Sequence, residues 1–107
     1  MPKDDRVIFF GTDDLSAYVL DCLMKLHANV VCVVTKPDKV NSRGNKIEYN
    51  DVKQYCFKNN IKCIQPKNLK QESQSVLDFK PDLIVTCSYG KIIPKDIFDY
   101  PKYHCVN

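Results

Sequence analysis

Gly11, Gly44 and Gly90 are the three glycines of the chain, where ordinary usage of roughly 7% would give about seven, and the residues around them are the ones equipped for chemistry. In Ser88-Tyr89-Gly90 an aromatic ring stands beside a residue that leaves backbone groups open to close approach. Such a surface suits a planar heterocycle; the alternative is that Tyr89 only covers a sheet edge. Around Gly44, the stretch KPDKVNSRGNK sets Lys36, Lys39, Arg43 and Lys46 against one acid, Asp38, a surplus as large as the +3 of the whole chain. A cationic loop on a balanced body is either a contact for a polyanion or a solvated loop. Gly11 opens GTDD, which is not the GxGxxG fingerprint: Asp13 and Asp14 stand where glycine and small residues would, and would repel a pyrophosphate. A dinucleotide site is not expected.

Neither His27 nor His104 has a partner at a useful spacing, and Cys22, Cys32, Cys56, Cys63, Cys87 and Cys105 form no CxxC pair and no Cys/His cluster. No metal site is expected. Lying mostly inside apolar segments, the thiols read as small free hydrophobes in a reducing compartment.

These residues need elements to carry them. Arg6–Phe10 and Val30–Thr35 are short, β-branched-rich and without polar alternation, as strands buried on both faces are. Between them Leu15, Val19, Cys22, Leu23 and Leu26 recur on one helical face, with Thr12 as the expected N-cap and Asp13 and Asp14 in the first turn. After the basic loop come a helix over Asp51–Asn59, a strand at Lys62–Ile64, a helix over Leu69–Phe79 stopped by Pro81, and a strand over Asp82–Ser88. Tyr100–Asn107 climbs from a proline turn into the opening of a further strand. Alternation of this kind predicts an α/β fold, a Rossmann-like open parallel sheet with helices on both faces and right-handed crossovers. Ligands of such sheets bind beyond the carboxyl ends of the strands, and all three glycines fall in loops that follow a strand.

The chain's 107 residues fit one domain, with 44% apolar and 27% charged residues, near globular averages. No apolar run approaches the roughly 18 residues of a membrane span, and MPKDDR lacks a signal peptide's apolar stretch. A soluble, cytoplasmic protein is expected.

The stretches FFGTDDLSAYVL, VVTKPDKVNSRGNKI, QPKNL, KPDLIVTCSYGKIIPKDI and YPKYHCVN, in that order, resemble the N-terminal part of the methionyl-tRNA formyltransferases. That resemblance implies transfer of a formyl group from 10-formyltetrahydrofolate, with no metal, to the amino group of methionyl initiator tRNA. It implies that Tyr89, Gly90, Ile92 and Pro94 border the folate pocket, that Gly11 and Thr12 form the floor of the site, and that Arg43, with Lys36, Lys39 and Lys46, meets the acceptor end of the tRNA. Asn107 matches the asparagine of a family N-x-H motif. An amide donor there would stabilise the oxyanion formed when an amine attacks the formyl carbon. Residues 1–107 would then be the N-terminal part of a catalytic domain, incomplete at its C-terminal end and cut at the start of the catalytic strand, hence inactive alone. The complete enzyme is expected to be a monomer, without membrane contact, in a bacterial cytoplasm or an organelle matrix. Asp13, where the family has proline, and Val40, Asn41 and Ser42 before Arg43 depart from the pattern. The competing readings are a non-catalytic RNA- or folate-binding module and a formyltransferase for a small amine or sugar nucleotide.

Overall fold

In chain order the elements are β1 (Val7–Gly11), α1 (Asp14–Lys25), β2 (Val30–Val34), β3 (Lys39–Val40), β4 (Ile47–Glu48), α2 (Asp51–Lys58), β5 (Cys63–Ile64), α3 (Ser73–Leu77), β6 (Leu83–Cys87), α4 (Lys95–Phe98) and β7 (Cys105–Val106). They come from a computed structural model that describes residues 4–40, 44 and 46–107. Five strands form one sheet in the order β5-β2-β1-β6-β7, and every pairing within it is parallel. β3 and β4 form a separate antiparallel pair, Lys39 opposite Glu48.

The unbroken apolar run at the N-terminal end becomes the middle strand, and all five residues of β1 are buried. Because side chains alternate along a strand, Ile8 and Phe10 pack with Cys32, Val34 and Ile84 beneath Val76 and Ile97 of α3 and α4. Phe9 goes the other way, with Val33, Leu20, Val52 and Cys56 beneath α1 and α2. Helices thus cover both faces, as the sequence predicts. Each such fully buried Phe, Ile or Leu contributes about 1.5–3 kcal/mol of transfer free energy. Among the described residues no helix is long and apolar enough to cross a membrane.

Local chemistry moved several boundaries. Asp13, not Thr12, caps α1, its carboxylate accepting from Ser16 N at 2.9 Å. The face expected to be buried is also rotated: Ser16 and Leu20 are buried, whereas Leu15 is 56% and Leu26 78% exposed. A polar residue, Ser16, takes the position nearest the sheet because its hydroxyl bonds the carbonyl of Cys87. The helix expected over Leu69–Phe79 shrinks to Ser73–Leu77. Asn68 N donates to Glu72 Oε2 at 2.8 Å and Gln71 N donates to Asn68 Oδ1 at 3.2 Å, so side chains hold a turn where helix would continue. The basic loop contains the β3–β4 pair, and the expected terminal strand is ordered as β7, with Ile84 opposite Cys105.

Candidate functional site

The connections from β1 lead outward through β2 to β5, and then the chain returns across β1 to β6 and β7. The sheet order therefore reverses between β1 and β6, and in open parallel sheets the crevice that takes a ligand lies beyond the carboxyl ends of the strands at that point. Register places Gly11 opposite Cys87 at its mouth. A Cβ at Gly11 would lie 2.6 Å from Ser16 Cβ and 2.7 Å from Phe9 Cε2, so only glycine lets β1 turn there with α1 so close. Asp13 accepts from Ser16 N and Ser16 Oγ, both at 2.9 Å. The backbone N–H, then the hydroxyl, hold its carboxyl below the ordinary value.

Thr12, free of capping duty, donates its hydroxyl to the carbonyl of Tyr89 at 2.8 Å. This bond ties the β1 loop to the β6 loop across the crevice. The β6 loop turns sharply, with Ser88 at φ 49° and Gly90 at φ 85°. Of the two readings the sequence leaves for Tyr89, the ring is not an open platform. It is 4% exposed and stands edge-on to Phe10, centroids 5.2 Å apart. Burial, then the charge of Glu72, push its phenol up, and among the described residues its hydroxyl has no partner. The aromatic bulk belongs to the core, since Phe10 and Val76 lie in the same cluster. What Tyr89 offers the crevice is backbone.

Lys36 joins this group from the end of β2. Its Cε and Nζ lie 2.5 Å from where a Cβ on Gly90 would be, so the side chain lies against the glycine. Behind it, Lys36 O accepts from Gln65 Nε2 at 3.0 Å and Asn50 Nδ2 at 3.3 Å. Asp38 takes Lys53 Nζ at 2.9 and 2.7 Å and Gln65 Nε2 at 2.7 Å. Lys53, then Gln65, hold the Asp38 carboxyl below its usual range. The one acid of the basic loop is therefore engaged by Lys53 of α2 and by Gln65, which follows β5. A cavity of about 210 Å³ opens beside Thr12, between Lys36, Lys39, Tyr49 and Asn50.

The remaining expected site residues spread outward. Lys39 is exposed on β3 and Lys46 is exposed just before β4, while Arg43 lies outside the described residues, as do Asn41 and Ser42. Ile92, 91% exposed, and Pro94 line a second groove on the α3–α4 side. Asn107 follows Val106, which pairs with Val85, and its Oδ1 accepts from Thr86 Oγ1 at 3.2 Å. It thus stands at the carboxyl end of β7, one strand from the reversal. The structure brings Gly11, Thr12, the Tyr89 backbone, Gly90 and Lys36 together; Ile92 and Pro94 line the second groove, and Asn107 bonds Thr86 near the end of β6. Ser16 and the Asp38–Lys53–Gln65 bonds went unread. Asp13-x-x-Ser16 is a capping spacing that would have revealed the first, but nothing in the sequence joins residues 38, 53 and 65.

Residues 5–107 match the family described as formyl transferase, and the chain belongs to that family. Among curated relatives, the methionyl-tRNA formyltransferase of Acetivibrio thermocellus is 39% identical over 104 residues, which cover 95% of this chain and 33% of the relative. The proteins of that name from Francisella philomiragia, 39% identical over 108 residues, and Prochlorococcus marinus, 44% over 105, are matched over 98% and 95% of this chain. The chain spans about a third of these relatives' length, 35% and 32% for the last two. Among solved structures, phosphoribosylglycinamide formyltransferase from Bacillus halodurans superposes with a TM-score of 0.64 at 13% identity, covering 94% of this chain and 54% of that one. This likeness is one of fold.

Proposed function

We propose that the chain is the N-terminal portion of a formyltransferase catalytic domain that moves a formyl group from 10-formyltetrahydrofolate to the amino group of methionyl initiator tRNA. The observation that carries this reading is its match, over 95% or more of its length, to relatives that bear the methionyl-tRNA formyltransferase name. In this reading the folate ring enters at the crevice, against the backbone of Tyr89 and Gly90, with Gly11 and Thr12 beneath it. Lys39, Arg43 and Lys46 meet the phosphates of the acceptor stem, where paired cations release counterions.

Asn107 supplies the oxyanion donor. With its Oδ1 engaged by the Thr86 hydroxyl, its amide Nδ2 is left to donate. An N–H so placed contributes about 3–4 kcal/mol to a transition state in which negative charge builds on the formyl oxygen. The proton leaving the amine requires a base, which in this reading is a histidine of sequence beyond the matched third.

The test joins residues 1–107 to the remaining two thirds of the Acetivibrio thermocellus relative and measures formyl-methionyl-tRNA. Turnover by the fusion, lost by about 10²–10³ in an Asn107→Ala fusion, and none by the 107-residue chain alone, is the expected outcome. A folded but inactive fusion that still binds folate would favour the binding-module alternative. An Asn107→Ala fusion as active as the parent would remove Asn107 from the chemistry.

A further inference from the structure

Away from the crevice, two thiols meet beneath α2. After Lys58 the chain doubles back through Asn59 and Asn60, the latter at φ 56°, and Ile61 N donates to the Cys56 carbonyl at 2.9 Å. A left-handed residue closed by a six-to-one bond is the turn that sends a chain back along the helix it has left. Cys63, the first residue of β5, therefore returns to Cys56: the two pack in one cluster with Phe9, Val33 and Val52, and their thiols share a hydrogen bond. Cys32 packs on the opposite face of the sheet with Phe10 and Ile84. β6 and β7, which carry Cys87 and Cys105, lie three and four strands from β5, at least about 14 Å away. Cys22, half-buried on α1, is the natural comparison.

We propose that Cys63 and Cys56 are a peroxide-responsive pair, oxidised to a disulfide by hydrogen peroxide and restored by a small thiol, whether or not the crevice carries formyl transfer. The two sulfurs are unlike in the way such a pair requires. Cys56 is 1% exposed, whereas Cys63 is half-buried on the outermost strand of the sheet, within reach of a small solute. The hydrogen bond from Cys56, and after it the Lys53 ammonium, hold the Cys63 thiol below its ordinary value against burial and Asp38; that bond, then burial, push the Cys56 thiol up. Cys63 is thus the attacking sulfur and Cys56 the resolving one. The Cys63 thiolate attacks one peroxide oxygen and the O–O bond breaks; sulfur keeps one hydroxyl as a sulfenic acid, and the departing hydroxide takes up the proton that Cys63 gave off. The Cys56 sulfur then displaces that hydroxyl, which leaves with the Cys56 proton as a second water. Two electrons pass from sulfur to oxygen, and two equivalents of a small thiol return them while becoming a disulfide themselves. Lys53 lies one turn before Cys56 and Gln65 two residues after Cys63, and both bond Asp38 of the basic loop. The disulfide staples together the two segments that anchor that loop.

The experiment treats the fully reduced chain with a small excess of hydrogen peroxide, quenches it with an alkylating agent, and maps it after trypsin, which cuts after Lys53, Lys58, Lys62 and Lys67. The expected product is peptide 54–58 joined to peptide 63–67, with the loss of two hydrogens in the intact mass. It should form at least about tenfold faster than Cys22 is oxidised, and dithiothreitol should reverse it. In Cys56→Ala the reaction should stop at a sulfenic acid on Cys63, trapped by dimedone. In Cys63→Ala the thiol of Cys56 should react at least about tenfold more slowly than the parent pair. Circular dichroism checks the folding of each variant, and the parent's peptide map decides alone where a variant does not fold. A folded parent whose two peptides stay unlinked, whatever the other thiols do, overturns the proposal. So does a link from Cys63 to Cys22, or a Cys63→Ala variant whose Cys56 reacts as fast as the parent pair.

Discussion

Ser16→Ala tests whether the start of α1 is bolted to the end of β6. The residue is fully buried, and its hydroxyl lies within bonding distance of the Cys87 carbonyl and of Asp13 Oδ1, the latter at 2.9 Å. Its one proton serves one acceptor at a time. Deleting the oxygen removes little volume, so the cavity contribution is small, but it strips a donor from a carbonyl and a carboxylate. A lost hydrogen bond to a charged group costs about 1.5–3 kcal/mol, and a carbonyl left unpartnered about 1–3 kcal/mol. Because the two share a single proton, the effects do not add, and a loss of about 2 kcal/mol is expected. In a domain of this size that lowers Tm by roughly 8–16 °C. Urea unfolding with an unchanged slope is the primary assay. The same substitution removes one of the groups that lower the Asp13 pKa, so that pKa should move back toward 3.8, as followed by NMR of the carboxylate. The sign follows: a depressed folded pKa contributes stability above the unfolded value, lost as pH falls through the folded one, so Ser16→Ala should shrink the Asp13 share of the acid-induced loss of stability and make it end at higher pH. A change below about 0.5 kcal/mol with an unmoved Asp13 titration would refute the account, because it would mean that water or a shifted loop serves Cys87 as well as Ser16 does.

The two crevice glycines should respond unequally. Gly11→Ala meets buried Ser16 and Phe9 atoms at 2.6 to 2.8 Å and should cost about 1–3 kcal/mol or more, while Gly90→Ala meets only the movable end of Lys36 and should cost about 1–2 kcal/mol for its φ of 85°; urea curves showing the reverse order would refute this. Tyr89→Phe removes a buried hydroxyl without a partner among the described residues, so thermal unfolding should show a gain of about 1 kcal/mol, and a loss would mean that the hydroxyl is bonded. Lys53→Met frees Asp38, whose pKa Lys53 and Gln65 hold down, so the variant should lose the Asp38 share of the stability decline below about pH 4; identical acid limbs by circular dichroism would count against the pair. Lys39→Ala and Arg43→Ala in the active fusion should each weaken initiator-tRNA binding and lower its salt slope by about 1, with unchanged slopes refuting the basic-loop role.

Strands buried on both faces announce themselves, which is why VIFF, VVCVV and LIVTC were legible as a parallel sheet: nothing but continuous apolar sequence satisfies two helical layers at once. Helix faces were less so. The α1 pattern favoured Leu15 and Leu26 over Ser16, because hydropathy counts apolar atoms and takes no account of a carbonyl that needs a donor. The crevice was legible from glycines alone, since Gly11 and Gly90 mark places where a backbone must turn or be approached. The destination of Tyr89 was not legible, because a ring at a strand end has equal claim to either side, and Phe10 decided it. Lys36 against Gly90 and the bond from Lys91 Nζ to the Lys67 carbonyl join segments far apart in sequence, and no periodicity reports them.

The central position of β1 also has a consequence during synthesis. Its neighbour on one side, β2, follows closely, but β6 does not: Arg6 N meets Asp82 Oδ2 across 76 residues. A ribosome adding about 5–20 residues per second takes on the order of 4–15 s to supply that second neighbour. Throughout that interval one edge of a strand whose five residues all end up buried has no native partner, a template for mispairing with any other nascent chain. The hydroxyl bond from Thr12 and the aspartate clasp at Arg6, one at each end of β1, both close onto the late-arriving segment, so the crevice cannot take shape until Asp82 and Tyr89 have been made.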